Sequence, residues 1–453
     1  MAEPIKIRKG LNIKLKGEAE KVLEDAPMPE TFAVKPPDFH DVRTKLLVKE
    51  GDEVKAGTPV YYDKDNEQVM FTSPVSGELV EVVRGAKRKI LEVKILADKE
   101  VRHEDFGSGD PKEMSREEVT EKLLKSGAFP FIRKRPFSVI PHPESKPKSI
   151  FIPAFDTNPL SPDLDFVYEG QKASFQKGIE VLQKLTDGKV HLGVSSDTSA
   201  DTFLQAEGVQ RSAFEGPHPA SNVGVHIHHL DPILPGDEVW YLYPHGVVTI
   251  GKLFQEGIFD PSKIVALSGS EVAEPKYYRT RIGASIKSLV NGNVSSEQEL
   301  RYISGNPLTG DIIDAEGFLG FYHDQVTVLP EGNEKKFFLT DGWLSPGLNK
   351  FSMSKAYPSW LFPNKKYRLD TNKNGEKRAY VVTGQYEQVF PFEIFPQQLV
   401  KSIIIQDLDQ MEQLGIHEVD AEDFALCEFV CTSKQPVQKI VRGGLDQLKQ
   451  EMS

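Results

Sequence analysis
The chain holds two cysteines among 453 residues, too few for a disulfide framework, which points to a cytoplasmic setting. No run approaches the ~18 consecutive apolar residues that a membrane helix needs; SIIIQ and KIVALSG are core-sized pieces. The opening MAEPIKIRKGLNIKLKG lacks the continuous apolar stretch of a secretory signal. Basic excess is missing too. The net charge of −12 and isoelectric point near 5.5 argue against nucleic acid as a partner, because phosphates demand a basic face. Neither GxGxxG nor a Walker-type string occurs, so no glycine-rich loop announces a bound nucleotide. A short-period repeat is also absent.

What is there is an ordinary globular composition, 39% hydrophobic and 27% charged, with length for about three domains. The basic clusters RGAKRK (Arg84–Lys89) and RKR (Arg133–Arg135) read as solvated loops, with docking of an acidic partner or lipid headgroups as the functional alternative.

In VKEGDEVKAGTPVYYDKDNEQVMFTSPVSGELVEV (48–82), Gly51-Asp52 and Gly57 punctuate the apolar residues Val48, Val54 and Val60. Glycine takes positive φ cheaply and aspartate closes Asx turns. Pro74 and Gly77 then introduce a second alternating run. Short strands at this spacing predict a small all-β sandwich resembling the barrel-sandwich hybrid of lipoyl and biotinyl domains, in which a lysine occupies a hairpin tip. Lys64 lies nine residues before Ser73 in what reads as a longer polar loop, DKDNEQ. We expect an unmodified surface lysine.

Residues 1–30 begin as a strand, with Ile5, Ile7, Leu11, Ile13 and Leu15 in alternation. MSREEVTEKLLKSG predicts a helix capped by Ser115 and stopped by Gly127. From Ser149, strand and helix patterns alternate: SIFIPA as a strand, SFQKGIEVLQKLT as an amphipathic helix, VHLGVS, GVHIHHL and DEVWYLY as strands, then VVTIGKLFQEG as a helix. Such alternation predicts a doubly wound α/β domain. From residue 263 the text becomes turn-rich β with one helical piece, SIKSLV, which fits a small β-grasp. Residues 331–398 are loop-rich, and the end is helical.

The fold class is therefore α/β and β multidomain. A barrel-sandwich domain with its N-terminal strand is expected over 1–103, a Rossmann-like domain over 104–262 and a β-grasp domain over 263–330. A loop-rich insertion over 331–398 and a helical domain over 399–453 complete the division.

This order of pieces, with FDTNPL (155–160), GPHPASNVGVHIHHLDP (216–232), GWLSPGLNKFS (342–352) and DFALCEFVC (423–431), resembles the A-subunit family of the sodium-translocating NADH:quinone oxidoreductases over essentially the whole chain. The architecture also resembles the C-subunit of the Rnf complex and the flavin-bearing NADH-oxidising subunit of complex I. The resemblance implies a peripheral subunit on the cytoplasmic face of the bacterial inner membrane, within a complex that oxidises NADH, reduces ubiquinone or menaquinone and pumps Na⁺. It implies FMN, riboflavin, FAD and iron–sulfur centres in partner subunits, membrane subunits among those partners, and quinone as substrate. The runner-up reading is a purely structural docking subunit without quinone contact. A free-standing lipoyl- or biotin-type carrier is contradicted by the residues beyond 82.

In the relatives, a glycine-dense loop cradles the flavin phosphate. SGAFPFIRKRPFSVIPHP (126–143) stands in that place with the single Gly127 and bulky residues after it. A ferredoxin motif spaces its ligands C-x2-C-x2-C-x3-C. Cys427 and Cys431 keep the last pair, while Phe424 and Ala421 fill the other two places. By the resemblance alone, a second degenerate copy falls on Tyr380, Thr383, Tyr386 and Phe390. No cofactor is expected in this chain, and the two cysteines read as packed residues i,i+4 on one helix.

On a strand, His226 and His228 share a face, half of a zinc set. No Cys, Asp or Glu partner has motif spacing, so structural histidines and no metal are expected. GWLSPGLNKFS reads as a tight turn with a packed tryptophan. Its functional alternative is an aromatic wall for a flat quinone, drawn from Trp343, Phe351, Tyr357 and Trp360, with Ser345 or Lys350 as the donor. Trp343 and Lys350 are the first choice for quinone contact, with His226 or His228 as the alternative donor. No residue is assigned a catalytic role.

Overall fold
The computed structural model describes residues 3–452, apart from 296, 297, 334, 335, 338 and 343. Two small sheets form the N-terminal sandwich. Strands Thr31–Val34, Ile90–Ala97, Gly77–Arg84 and Glu53–Val54 make one; Thr44–Leu46, Pro59–Asp63 and Asn66–Thr72 make the other. Val54, Val60, Tyr61, Val69, Phe71, Leu79, Val93 and Ile95 fill the space between them. Alternation in each short strand supplies that shared apolar layer.

The expected longer loop around Lys64 is corrected. The strands run on to Asp63 and from Asn66, leaving Lys64-Asp65 as a tight hairpin tip. Asp63 accepts from the Arg43 and Asp65 amides at 3.0 and 3.2 Å, so polar residues that read as loop serve the turn itself.

The α/β sheet has the order Ile5–Lys6, Gln210–Glu215, Val190–Ser195, Ile150–Pro153, Val239–Tyr241 and Arg133–Arg135. All its pairings are parallel except the antiparallel edge strand Arg133–Arg135. Helix Arg116–Ser126 leads into it with the expected ends. Ser115 and Glu118 form a capping box, and Gly127 takes the left-handed stop at φ 77°. The third sheet carries the β-grasp strands in the order Asp311–Ile313, Leu300–Ser304, Gln325–Pro330, Ser262–Ser268, Lys276–Arg281 and Glu20–Asp25.

The N-terminal segment is distributed rather than confined to the sandwich. Ile5–Lys6 joins the α/β sheet, Glu20–Asp25 extends the β-grasp sheet, and Thr31–Val34 enters the sandwich. The alternation from Leu11 to Leu15 is not a strand; it buries Ile13 and Leu15 against the C-terminal core. That core is built by helices Pro396–Ile405, Leu408–Gln413, Ala425–Val430 and Val437–Met452. Among the described residues, no helix is long and apolar enough to cross a membrane.

Candidate functional site
A cleft of about 1300 Å³ opens between the β-grasp sheet, the 331–398 segment and the C-terminal helices. Ile13, Ile303, Leu329, Phe351 and Phe429 give it apolar wall, and Lys350 and Tyr357 lie on the same lining. Lys350 Nζ donates to the Gly342 carbonyl and stands 4.8 Å above the centre of the Tyr357 ring. Ser345 Oγ is already donating to the same carbonyl at 2.8 Å. Phe351 packs between Tyr367 and Phe429, with ring centres 5.9 and 6.4 Å away. Trp360 does not line this cleft and is exposed. Trp343 lies outside the described residues. Of the expected aromatic wall, Phe351 and Tyr357 are thus brought together with Lys350.

The histidines are elsewhere, and the strand assigned to them is corrected. Residues Val223–Leu230 form an α-helix. Two positions apart on a helix are turned by ~200°, so His226 and His228 face opposite ways and lose the shared face of the zinc reading. β-Branched Val and Ile biased the sequence toward a strand, and tertiary packing overrode that preference. Gly224 permits the helix to approach closely: a Cβ there would stand 2.6 Å from Asp423 Oδ2.

His226 is buried between Phe214 and Phe155, ring centres 4.1 and 5.5 Å away, and its Nε2 bonds the Ala220 carbonyl at 3.0 Å. Burial pulls its pKa down to about 3, so the ring is neutral. His228 Nε2 accepts from the Glu393 amide at 3.1 Å, which leaves Nδ1 to face Glu418 at 3.3 Å. Neither histidine lines the cleft. Among the described residues, no group of three or more His, Cys, Asp or Glu side chains is placed to hold a metal ion.

The RKR cluster is not a solvated loop. Arg133–Arg135 is an edge strand, and the Arg135 side chain is 0% exposed. Its guanidinium donates to Asp423 Oδ2 at 3.0 Å and Glu422 Oε1 at 2.5 Å, with Asp420 at 3.9 Å. Arg442 completes the group by donating to Asp420 and, at 2.7 Å, to the Phe137 carbonyl. Burial raises the Asp423 carboxyl to about 6, aided by Glu422 and Asp420 and opposed by Arg135. Asp420, equally buried, is held below the ordinary carboxylate range by Arg135 and Arg442. Next along the strand, the Arg133 guanidinium lies over the rings of Tyr322 at 4.2 Å, Tyr241 at 4.7 Å and Tyr243 at 5.5 Å, a cation–π cage. The sequence signal was the acidic run DAED at 420–423, but nothing local ties it to an arginine nearly 300 positions earlier.

The segment that replaces a glycine-rich loop is core. Phe129, Phe131 and Ile132 are buried, and Phe131 packs on Phe321 and His245, ring centres 4.6 and 5.4 Å away. Bulky side chains thus occupy the place where a phosphate would need close backbone approach, and the residues present do not fit a flavin phosphate.

They do not fit an iron–sulfur cluster either. A four-ligand cluster needs more thiolates than the two cysteines supply. Tyr380 and Tyr386 lie near both Cys427 and Cys431, and the Phe390 ring packs tilted on Phe424 with ring centres 4.7 Å apart. Burial pushes the Cys427 thiol well up, toward the protonated, unreactive form. Cys431 is the residue capping helix Ala425–Val430 rather than a member of it, which trims the expected one-helix pair.

Comparison with known proteins adds an independent line. Residues 5–98 match the family described as NqrA N-terminal barrel-sandwich hybrid domain, 114–259 the NqrA second alpha/beta domain, and 264–315 the NQRA C-terminal domain. The chain is 38% identical over 451 residues to the A-subunit of the Na⁺-translocating NADH-quinone reductase of Rhodopirellula baltica, covering 98% of each. It is 37% identical over 450 residues to the A-subunit from Yersinia pestis bv. Antiqua, covering 99% of this chain and all of that one. The Hahella chejuensis A-subunit is 38% identical over 452 residues, at 99% and 100% coverage.

Proposed function
The chain belongs to the NqrA family, the A-subunits of the Na⁺-translocating NADH-quinone reductases, and from that premise we propose that it serves as a peripheral subunit on the cytoplasmic face of the bacterial inner membrane. It joins membrane subunits there as a docking scaffold and contributes part of a quinone site. The flavins FMN, riboflavin and FAD, and the iron–sulfur centres, belong in this reading to partner subunits. The five-part division at residues 103, 262, 330 and 398 is part of the same proposal.

The observation that carries the quinone contact is Lys350 beside Tyr357, Phe351 and Phe429, which together form an aromatic patch in a cleft whose lining is otherwise rich in polar and charged side chains. A quinone head is flat and apolar with two carbonyl acceptors, so it wants such a patch and one or two donors. Lys350 supplies the donor by exchanging the Gly342 carbonyl for a quinone oxygen, and Trp343 belongs to the same GWLSPGLNK string. His226 and His228 form the weaker part of the proposal, because His226 Nε2 and both ring nitrogens of His228 are engaged.

In the assembled complex, Trp343→Ala and Lys350→Ala each raise the apparent KM for quinone while NADH oxidation stays near wild type. If both variants assemble and titrate with quinone as wild type does, the protein is a docking scaffold without quinone contact. The purified chain also shows no stoichiometric flavin or iron–sulfur absorption; such bands would overturn the assignment of those groups to partners.

A further inference from the structure
The chain carries 67 acidic residues among 453, yet none lies between Asp341 and Asp370. That stretch holds Lys350, Lys355, Lys365, Lys366 and Arg368 instead. Its 3-10 turn Pro358–Leu361 presents Trp360 56% exposed and Leu361 55% exposed, with Phe362 following at 46%. Lys365 Nζ reaches back to the Leu348 carbonyl at 2.7 Å and Asn349 Oδ1 at 3.1 Å, so another exposed leucine is held beside the turn. Other segments bring two carboxylates to the stretch: Glu18 pairs with Lys366 and Glu271 with Arg368. Lys350 and Lys365 instead donate to carbonyl and amide oxygens.

We propose that this tip is a docking surface for an anionic lipid bilayer, with Trp360, Leu361 and Phe362 entering the headgroup boundary and the flanking lysines meeting lipid phosphates. Tryptophan and phenylalanine beside lysine are the composition of interfacial membrane contacts. The core of a protein–protein interface is depleted of lysine, which makes a protein partner the poorer fit. Each basic residue near an anionic surface adds about a fivefold gain in partition, so a protein of net charge −12 needs a face on which cations outnumber carboxylates, as the lysines here do even with Glu18 and Glu271 counted. The inference goes beyond the quinone reading, because Trp360 lies off the cleft.

The test is flotation of the full chain with phosphatidylcholine vesicles, alone or with about 30 mol% phosphatidylglycerol, across a salt series. The chain binds the anionic vesicles, leaves the neutral ones, and releases as salt rises. The triple variant Trp360→Ser, Leu361→Ser, Phe362→Ser loses ~10-fold or more of its partition. Lys355→Gln with Lys365→Gln loses on the order of 10-fold with the apolar tip intact, which keeps the test decisive if the triple variant misfolds. Equal binding to both vesicle types, or wild-type partition by folded variants, overturns the proposal. So does a triple variant that binds vesicles normally but fails to join its partner subunits, since the tip is then a protein contact.

Discussion

Lowering the pH should destabilise this protein through its buried histidines, and His226 lets one share of that effect be isolated. Its pKa falls to about 3 in the folded chain from an ordinary 6.5, because burial disfavours the charged ring; the nearby His229 adds a small push the same way. Between those values the unfolded chain carries a proton that the folded chain refuses. The stability is therefore fully present above the unfolded value and is lost as pH falls. At about pH 5.5 the loss relative to about pH 7.5 is ~1.4 kcal/mol for one such group. His218 and His323 are depressed to about 3 by burial as well, so the three together remove ~4 kcal/mol. Asp423, raised to about 6, works in the opposite direction by ~1 kcal/mol over the same window. Replacing His226 by Phe keeps a ring between Phe155 and Phe214 and gives up the bond to Ala220. That bond's contribution is independent of pH and cancels in the difference. Urea titrations of wild type and His226→Phe at the two pH values should show the variant losing ~1.4 kcal/mol less on acidification. Equal losses in the two proteins would refute the reasoning, since His226 would then be protonated in the fold or wet.

Two further outcomes follow from the buried polar and sulfur groups. Arg135→Met should cost on the order of 3–5 kcal/mol, because it leaves the buried Asp423 without its cation while Asp420 keeps Arg442; urea denaturation of the purified variant measures it, and a loss under about 1 kcal/mol would mean that Asp423 is hydrated. Cys427→Ala with Cys431→Ala should cost about 1–2 kcal/mol as small buried groups, with electron transfer in the assembled complex intact; lost activity with normal assembly would make the thiols functional.

Features whose cause lies within a few residues were legible in the sequence. The capping box at Ser115–Glu118 and the stop at Gly127 need only local geometry, and the structure places both. The same holds for the short paired strands of 48–82, for strands Ile150–Pro153, Val190–Ser195 and Val239–Tyr241, and for helices Lys172–Leu185 and Pro244–Glu256, since side-chain period and turn chemistry are local properties. The sequence also shows that 126–143 and 421–431 lack the residue types that a flavin phosphate cradle and a four-thiolate cluster each require.

Tertiary structure alone decided the rest. VGVHIHHL carries strand-favouring residues, yet it is a helix because Gly224 lets Asp423 close over its first turn and His226 fills a slot between two phenylalanines. RKR looked like solvent-facing charge, yet Arg135 is fully enclosed because its three carboxylate partners arrive from the far end of the chain. The cleft behind Lys350 likewise joins residues from Ile13 to Gln438. Hydrogen bonding and burial depend on proximity in space, and a pattern read along the chain records only proximity in sequence.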